Sequence, residues 1–203
     1  PGADLLTIDA SGNDPSPQID NSTGTRVFHV NDGRARTVLD VTIAGMSLTG
    51  GDVGGPFAEN EGGAVRSVGE SLTLDAVAIY DNAVGYRGGG VSATGTLTIL
   101  NSQIFDNVAR VAEGGGIYAV GTTVIETSSV HENSAVGSGG GLWTSGNTAV
   151  VNSTVSGNRS GQQGGGIYSR AVFTLKQSTV SGNSSQSGGG LWARGTQELR
   201  HST

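Results

Sequence analysis

The sequence predicts an all-β fold in which about seven coils, each of roughly 25 residues, stack into a parallel β-helix, or solenoid. A Gly-Gly-Gly/Ala-aliphatic tetrad occurs six times, and its successive aliphatic positions follow one another at a nearly constant interval. Those positions are Val65, Val91, Ile117, Leu142, Ile167 and Leu191. An aliphatic-x-x-Asn motif recurs in step with the tetrad, at the same interval. Two motifs that share one period indicate a single structural unit that is copied and stacked.

Each repeat is interpreted as three short strands separated by turns. After the glycines, residues 117–120 alternate inward and outward before a turn at Gly121. Leu97 and Ile99 point inward in a second strand, and a third, short strand ends at an asparagine of the second motif. Helical periodicity is absent, and each glycine opposes helix by about 1 kcal/mol relative to alanine. The secondary structure is therefore expected to be almost purely β.

Three aliphatic columns are expected to fill the interior of the solenoid. Parallel stacking places equivalent side chains about 4.8 Å apart along the axis, the ordinary distance between neighbouring strands. The first column is the row of aliphatic positions in the tetrads. The second is Leu74, Ile99, Ile125, Val150 and Leu175, and the third is Ile79, Ile104, Val130, Val155 and Val180.

Two polar columns are predicted to lie at the bends of the coils. One consists of Asn82, Asn107, Asn133, Asn158 and Asn183, the other of Ser102, Ser128, Ser153 and Ser178. Stacked amides can bond from coil to coil and satisfy the backbone of a turn. We interpret both columns as structural ladders rather than as sites of chemistry.

The repeats predict one domain over residues 1–203. Residues 41–203 are regular, whereas residues 1–40 follow the same pattern as irregular N-terminal coils. About six extra residues between Gly50 and Gly62, a segment that includes Pro56 and Phe57, predict a protruding loop. The chain starts at Pro1 and its only methionine is Met46, so we expect it to be a piece of a longer protein.

Composition excludes several classes of function. The chain has no cysteine, which rules out disulfides, thiol chemistry and cysteine-based zinc sites. No apolar run reaches the roughly 18 residues of a transmembrane helix, and the net charge of −6 opposes general nucleic-acid binding. Residues 1–133 have a net charge of −10 and residues 134–203 one of +4. This polarity either favours end-to-end self-association or simply reflects drift between repeats, and we prefer the second interpretation.

The tetrads and the aliphatic-x-x-Asn motifs, over about residues 41–203, resemble the repeats of chlamydial polymorphic membrane proteins and similar bacterial surface proteins. The second motif has Ile or Val where the chlamydial pattern has Phe. The resemblance implies a right-handed single-stranded parallel β-helix and a secreted or surface-attached passenger, often adhesive. It implies no catalytic residue.

The candidate binding residues are four aromatic side chains that follow the inward aliphatic position in consecutive coils: Tyr118, Trp143, Tyr168 and Trp192. Large aromatic rings give much contact area at a low cost in conformational entropy. One interpretation is a lateral face for a glycan or a protein partner. The other is that the rings pack under a loop or cover the edge of a strand.

Acidic side chains also form a column, at Asp81, Asp106 and Glu132, directly before three of the ladder asparagines. A bound calcium ion would relieve their repulsion, and so would solvation. Parallel β-helices include polysaccharide lyases and hydrolases, and glycoside hydrolysis needs two carboxylates roughly 5–10 Å apart. Asp75 with Glu126, or Asp81 with Asp106, could nominally supply them, but nothing in the sequence marks out either pair. The hydroxyl column Thr73, Thr98 and Thr174 is interrupted at Val124 and Ala149, which disfavours ice binding.

The sequence thus predicts an extracellular or bacterial cell-surface rod, structural and adhesive, that presents its aromatic face to glycans or cell-surface proteins. No catalytic residue and no cofactor other than calcium is predicted. Two alternatives stay open. One is a carbohydrate-active β-helix enzyme, and the other is a self-associating filament subunit.

Overall fold

The computed structural model describes residues 6–9, 26–31, 38–54 and 60–203, with the backbone alone for residues 6–9. Most of the predicted irregular coils in residues 1–40, and the core of the predicted loop at Pro56 and Phe57, lie outside these residues. Nothing helical occurs in the described part of the chain, and every strand pair there is parallel. The all-β, parallel solenoid predicted from the repeats is confirmed.

Four sheets run along the solenoid, and we number them in the order in which each coil passes through them. Sheet 1 follows the glycines and contains Phe28–Val30, Val65–Ser67, Val91–Ala93, Ile117–Ala119, Leu142–Thr144, Ile167–Ser169 and Leu191–Ala193. Sheet 2 contains Asp40–Ala44, Ser71–Asp75, Leu97–Leu100, Thr123–Glu126, Thr148–Val151, Phe173–Lys176 and Gln197–Arg200. Sheet 3 contains Leu6–Asp9, Met46–Thr49, Ala78–Tyr80, Gln103–Phe105, Ser129–His131, Thr154–Ser156 and Thr179–Ser181. Sheet 4 contains Asp52–Val53, Ala83–Val84, Val108–Ala109, Ser134–Ala135 and Arg159–Ser160.

Two details of the sequence prediction are wrong. A coil has four strands rather than three, because sheet 4 adds a two-residue strand after each ladder asparagine. Such a strand is too short to show the alternation by which strands are recognised in a sequence. Within the described residues, five coils have all four strands, fewer than the seven predicted. Sheets 1 to 3 still have seven strands each, because partial coils add two C-terminal strands to sheets 1 and 2 and one strand at each end of sheet 3.

The three aliphatic columns lie in the interior at the predicted register, together with a fourth buried column on sheet 2: Leu72, Leu97, Thr123, Thr148 and Phe173. Ile99 pairs with Leu74 on one side and Ile125 on the other, and Ile104 pairs in the same way with Ile79 and Val130. Nearly all of these side chains are fully buried, apart from the half-buried Val180 and Leu191 in the last coils. Burying one such side chain contributes about 1.5–3 kcal/mol. A second, smaller core lies under sheet 4 and consists of Val53, Val84, Ala109 and Ala135.

Three positions of each regular coil have a left-handed backbone: the first glycine of the tetrad and one residue before each of the two ladders. Of the latter two, one precedes each ladder serine, for example Asn101 at φ 50°, and the other precedes each ladder asparagine, for example Asp106 at φ 52°. Glycine, asparagine and aspartate tolerate this conformation best. Thr127 and Gln177 nevertheless adopt it at φ 50° and 49°, so the ladders that follow must stabilise the turn enough to offset the strain.

The asparagine ladder joins each coil to the next through buried hydrogen bonds. The backbone N–H and the Nδ2 amide of Asn107 both donate to Oδ1 of Asn133, at 3.1 and 3.0 Å. Nδ2 of Asn107 also lies 2.9 Å from the carbonyl oxygen of Ile79 in the preceding coil. The same pattern recurs at Asn82, Asn133 and Asn158. Each ladder asparagine thus gives an acceptor to the backbone N–H at the equivalent bend of the preceding coil.

The serine ladder works in the same way at the preceding bend. Each backbone N–H donates to the hydroxyl of the serine in the next coil, at 3.0–3.3 Å from Ser102 through Ser178. Each hydroxyl in turn donates to the carbonyl two residues earlier. In the coil before Ser102, Val77 takes the serine position, and its N–H donates to the Ser102 hydroxyl at 3.1 Å.

The glycines of the tetrad allow the chain to pass close to the asparagine ladder and to the next coil. A Cβ on Gly115, the second glycine of its tetrad, would lie 2.3–2.4 Å from backbone atoms of Gly140 and Ser134. A Cβ on Gly116, the third glycine, would instead come within 2.9 Å of the side chain of Asn133 and 2.8 Å of one carbonyl oxygen. Ala64 occupies this third position in the first tetrad. The third position therefore accepts a methyl group, and the second does not.

We predict that Asn133→Ala destabilises the fold by about 3 kcal/mol or more. It leaves the buried N–H of Asn107 without an acceptor, which costs about 1–3 kcal/mol. It also removes the three hydrogen bonds that the Asn133 Nδ2 group donates, each contributing about 0.5–1.5 kcal/mol. Urea unfolding followed by circular dichroism measures the loss. The control is the exposed Asn147→Ala, expected to change stability by at most about 0.5 kcal/mol. Equal losses in the two variants would contradict the ladder's structural role.

We also predict that Gly115→Ala is much more destabilising than Gly116→Ala. The first substitution sets a methyl group against backbone atoms of Gly140 in the next coil and of Ser134 in sheet 4, which cannot move without disturbing the stacking of the coils. The second meets mainly an amide side chain, at a position where alanine already occurs in another coil. Overpacking of this kind costs about 1–3 kcal/mol, or more where backbone is involved. Thermal melting of the two variants side by side tests the order, and the reverse order would refute it.

Candidate functional site

The four predicted aromatic residues lie in one row on the outer face of sheet 1. Strand pairing places Tyr118 beside Trp143, Trp143 beside Tyr168, and Tyr168 beside Trp192. Their rings are nearly parallel, with centroids 4.6, 5.9 and 4.5 Å apart. We call these four residues the aromatic row.

The rings of the aromatic row turn their faces toward one another along the solenoid axis. A ligand that approaches from the side therefore meets ring edges and polar tips rather than flat faces. Exposure differs along the row: Tyr118 and Trp143 are buried, at 7% and 8% exposed, whereas Tyr168 and Trp192 are only partly buried. The part of the row within reach of a large ligand is its second half.

The first half of the aromatic row is closed by a cluster of charged side chains. The guanidinium of Arg87 lies 5.0 Å from the ring centroid of Tyr118 and 4.3 Å from that of Tyr86. Its Nε donates to Glu113 at 2.7 Å, and a second nitrogen lies 3.8 Å from Glu61. Such cation–π and ion-pair contacts fix the guanidinium over the stack. The charges in this part of the row are thus paired within the protein.

Glu61 is the most buried carboxylate of this cluster, at 6% exposed. It accepts a hydrogen bond from the hydroxyl of Ser92, which is fully buried in the row position next to Tyr118. Burial raises the pKa of Glu61, against the opposing effects of Ser92 and of nearby arginines. Burial likewise raises the pKa of Tyr118, although Arg87 opposes the shift. Glu61, Ser92 and Arg87 therefore cover the buried first half of the aromatic row.

A second row of stacked rings, which the sequence analysis missed, lies on the outer face of sheet 3. Tyr80, Phe105 and His131 stack with centroids 5.0 Å apart and planes within 10° of parallel. The signal was present, because these residues occupy the same position of the repeat in three consecutive coils. The pattern is weak because only three coils carry a ring at this position, and one of the three rings is a histidine.

The acidic column Asp81, Asp106 and Glu132 lies beside this second row, at the left-handed turn position before each ladder asparagine. Partial burial, followed by the charges of Glu132 and Asp81, raises the pKa of Asp106. His131 lies 3.3 Å from Glu132. Among the described residues, no group of three or more His, Cys, Asp or Glu side chains is arranged to hold a metal ion. Calcium binding stays a prediction.

The carboxylates considered for glycoside hydrolysis are on sheet 2 and at the acidic turn. Asp75 and Glu126 belong to one outward row with Leu100 between them. Asp75 accepts a hydrogen bond from Nδ2 of Asn101 at 2.9 Å and so stabilises the turn that Asn101 forms.

The interrupted threonine column also lies on sheet 2, where Thr98 pairs with Thr73 and Val124. The described residues include no helix that could cross a membrane.

We predict that Asp106→Asn stabilises the fold at pH 7 by less than about 1 kcal/mol, since the group is largely exposed. A carboxyl with a raised pKa destabilises the folded state once it ionises. This penalty is present above the folded-state pKa and is lost as the pH falls below the unfolded value of about 3.9. Melting temperatures of variant and wild type should therefore converge in acid. Glu126→Gln removes an exposed carboxylate outside the column, and an identical pH profile for it would show that net charge alone matters.

One coil of the solenoid is similar to a known repeat family. Residues 152–170 match the model of the Chlamydia polymorphic membrane protein repeat. This segment contains the aliphatic-x-x-Asn motif that ends at Asn158 and the glycine tetrad that ends at Ile167, so it includes one copy of each motif. No curated protein and no solved structure gives a significant match. The chain is a parallel β-solenoid repeat protein with a coil similar to the Chlamydia polymorphic membrane protein repeat.

Proposed function

We propose that this solenoid is a structural and adhesive rod of a bacterial cell surface or of a secreted bacterial protein, and that the aromatic row binds glycans or protein partners. The surface location is supported by the polymorphic membrane protein repeat match. The rod form is supported by regular stacking, in which each coil contacts its neighbours through all of its sheets.

The observation that carries the proposal is that the regular coils leave the inside of the solenoid to structural side chains. Inward positions are mostly buried and apolar, and the bends before sheets 3 and 4 are occupied by the serine and asparagine ladders. Binding therefore falls to the outer faces. The aromatic row spans more coils than the other described ring stack, and its second half is accessible.

The alternative of a carbohydrate-active enzyme gains no specific observation from the described residues, because the candidate Asp75 bonds to a turn asparagine. End-to-end association also stays a prediction. It is supported only by the unequal charge of residues 1–133 and 134–203. Neither alternative explains why four consecutive coils carry a large ring at one position.

We predict that the double variant Tyr168→Ser/Trp192→Ser loses binding by about tenfold or more on a glycan array and on a panel of immobilised cell-surface proteins. Removing exposed aromatic anchors commonly costs this much. Serine occurs in this row at Ser92, so the fold should tolerate it.

The matched control is Tyr80→Ser/Phe105→Ser, which shortens the other ring stack in a row that has serine at Ser156. Its binding should equal that of the wild type. Equal binding by all three proteins would remove the aromatic row from the site. Depolymerisation of an acidic polysaccharide by a wild type that retains no ligand would instead favour the enzyme.

A further inference from the structure

We infer that the accessible end of the aromatic row, Tyr168 and Trp192 together with Arg170 and Arg194, binds the carboxylate or sulfate groups of an acidic polysaccharide. This inference rests on the proposed function, because it names the ligand class of the same surface. It adds two residues that sequence reasoning did not single out.

Arg170 and Arg194 flank the accessible rings on the same outer face. Each follows a ring by two residues, directly after the strand that carries the ring, and its backbone N–H donates to the carbonyl of Thr144 or Ser169 of the preceding coil at 3.0 Å. The ladder of sheet 1 thus includes the backbone N–H of each arginine, which favours a side chain on the same side as the ring, about 6.6 Å from it along the strand direction. Ile167–Ser169 and Leu191–Ala193 are paired neighbours, so the two arginines are in adjacent coils about 4.8 Å apart. Both arginine side chains are exposed. Together the four side chains form a patch two coils long.

The patch is rich in hydrogen-bond donors that no described residue uses. The guanidinium groups of Arg170 and Arg194, the hydroxyl of Tyr168 and the indole N–H of Trp192 make no side-chain hydrogen bond or ion pair in the described structure. Arginine and the indole N–H have no acceptor, and an ionised carboxylate or sulfate group can only accept. The patch is therefore complementary to a ligand that presents anionic oxygens.

The charge of residues 134–203, the part of the chain that carries the patch, supports an anionic ligand. Residues 134–203 contain a single acidic residue, Glu198, against four arginines and one lysine. Glu198 is on sheet 2, where it forms an ion pair with Arg200. At the other end of the aromatic row the situation is reversed, because Arg87 is already bound by Glu113 and lies near Glu61. Only the second half of the row has cationic groups to offer.

A polysaccharide matches the shape of the patch better than a folded protein does. The patch is a narrow strip that continues along the solenoid axis and combines apolar ring edges with polar tips. A sugar chain offers apolar C–H and polar O–H groups in close alternation, together with its acidic groups. A stable protein interface needs about 800 Å² on each partner, which four side chains do not supply.

The test measures binding of the wild-type chain to immobilised polygalacturonate, dextran sulfate, neutral dextran and poly-L-glutamate by biolayer interferometry. Wild type should bind one or both acidic polysaccharides and release them at about 1 M salt, where the screening length is about 3 Å. Binding to polygalacturonate identifies carboxylate groups as the ligand, and binding to dextran sulfate identifies sulfate groups. Arg170→Gln/Arg194→Gln should weaken this binding by about tenfold or more.

The control Arg159→Gln/Lys176→Gln removes the same charge from exposed residues on sheets 4 and 2, and should change the affinity by less than about twofold. Equal losses in the two double variants would show a net-charge effect and overturn the inference. Binding to neutral dextran alone would overturn it while leaving the proposed function intact, and so would equally strong binding to poly-L-glutamate. Failure of the wild type on all glycans and cell-surface proteins would overturn both proposals.

Discussion

The structure depends on hydrogen bonds between the bends of successive coils. Sheets pair the strands, but a coil must also turn, and the backbone groups at a turn would be buried without partners. The asparagine ladder supplies those partners by joining the N–H of one turn to the side-chain oxygen of the next. The ladder also requires the left-handed residues and the glycines of the tetrad. They bring the chain around the bend and past the amide side chains without a clash.

Stacking in register turns each outer position into a row of neighbours about 4.8 Å apart. What a row does depends on the chemistry of its members. Tyr118, Trp143 and Tyr168 gain ring–ring contacts from this closeness. Asp106 is instead held near two other carboxylates, and its pKa is raised by partial burial and by their charges. One geometric rule thus produces a stabilising row on one face and a repulsive one on another.

The aromatic row changes character along its length. Near Tyr118 the rings are buried, and Arg87 is held over them by carboxylates of the protein. Near Trp192 the rings are partly exposed, and the neighbouring arginines form no ion pair with a described residue. The first half therefore belongs to the stability of the rod, and the second is the half that supports a role in binding.

The sequence by itself determined the parallel solenoid, its aliphatic columns and the positions of its ladders, because each depends on a side-chain type that recurs at a fixed period. Sheet 4 could not be predicted from the sequence, because a strand such as Val108–Ala109 is too short to show alternation. Only the tertiary structure decided which aromatic residues are covered, because burial of Tyr118 and Trp143 depends on neighbours from other coils. It also decided that the rings stack face to face. That outcome depends on side-chain torsions, which the spacing of residues in a sequence does not fix.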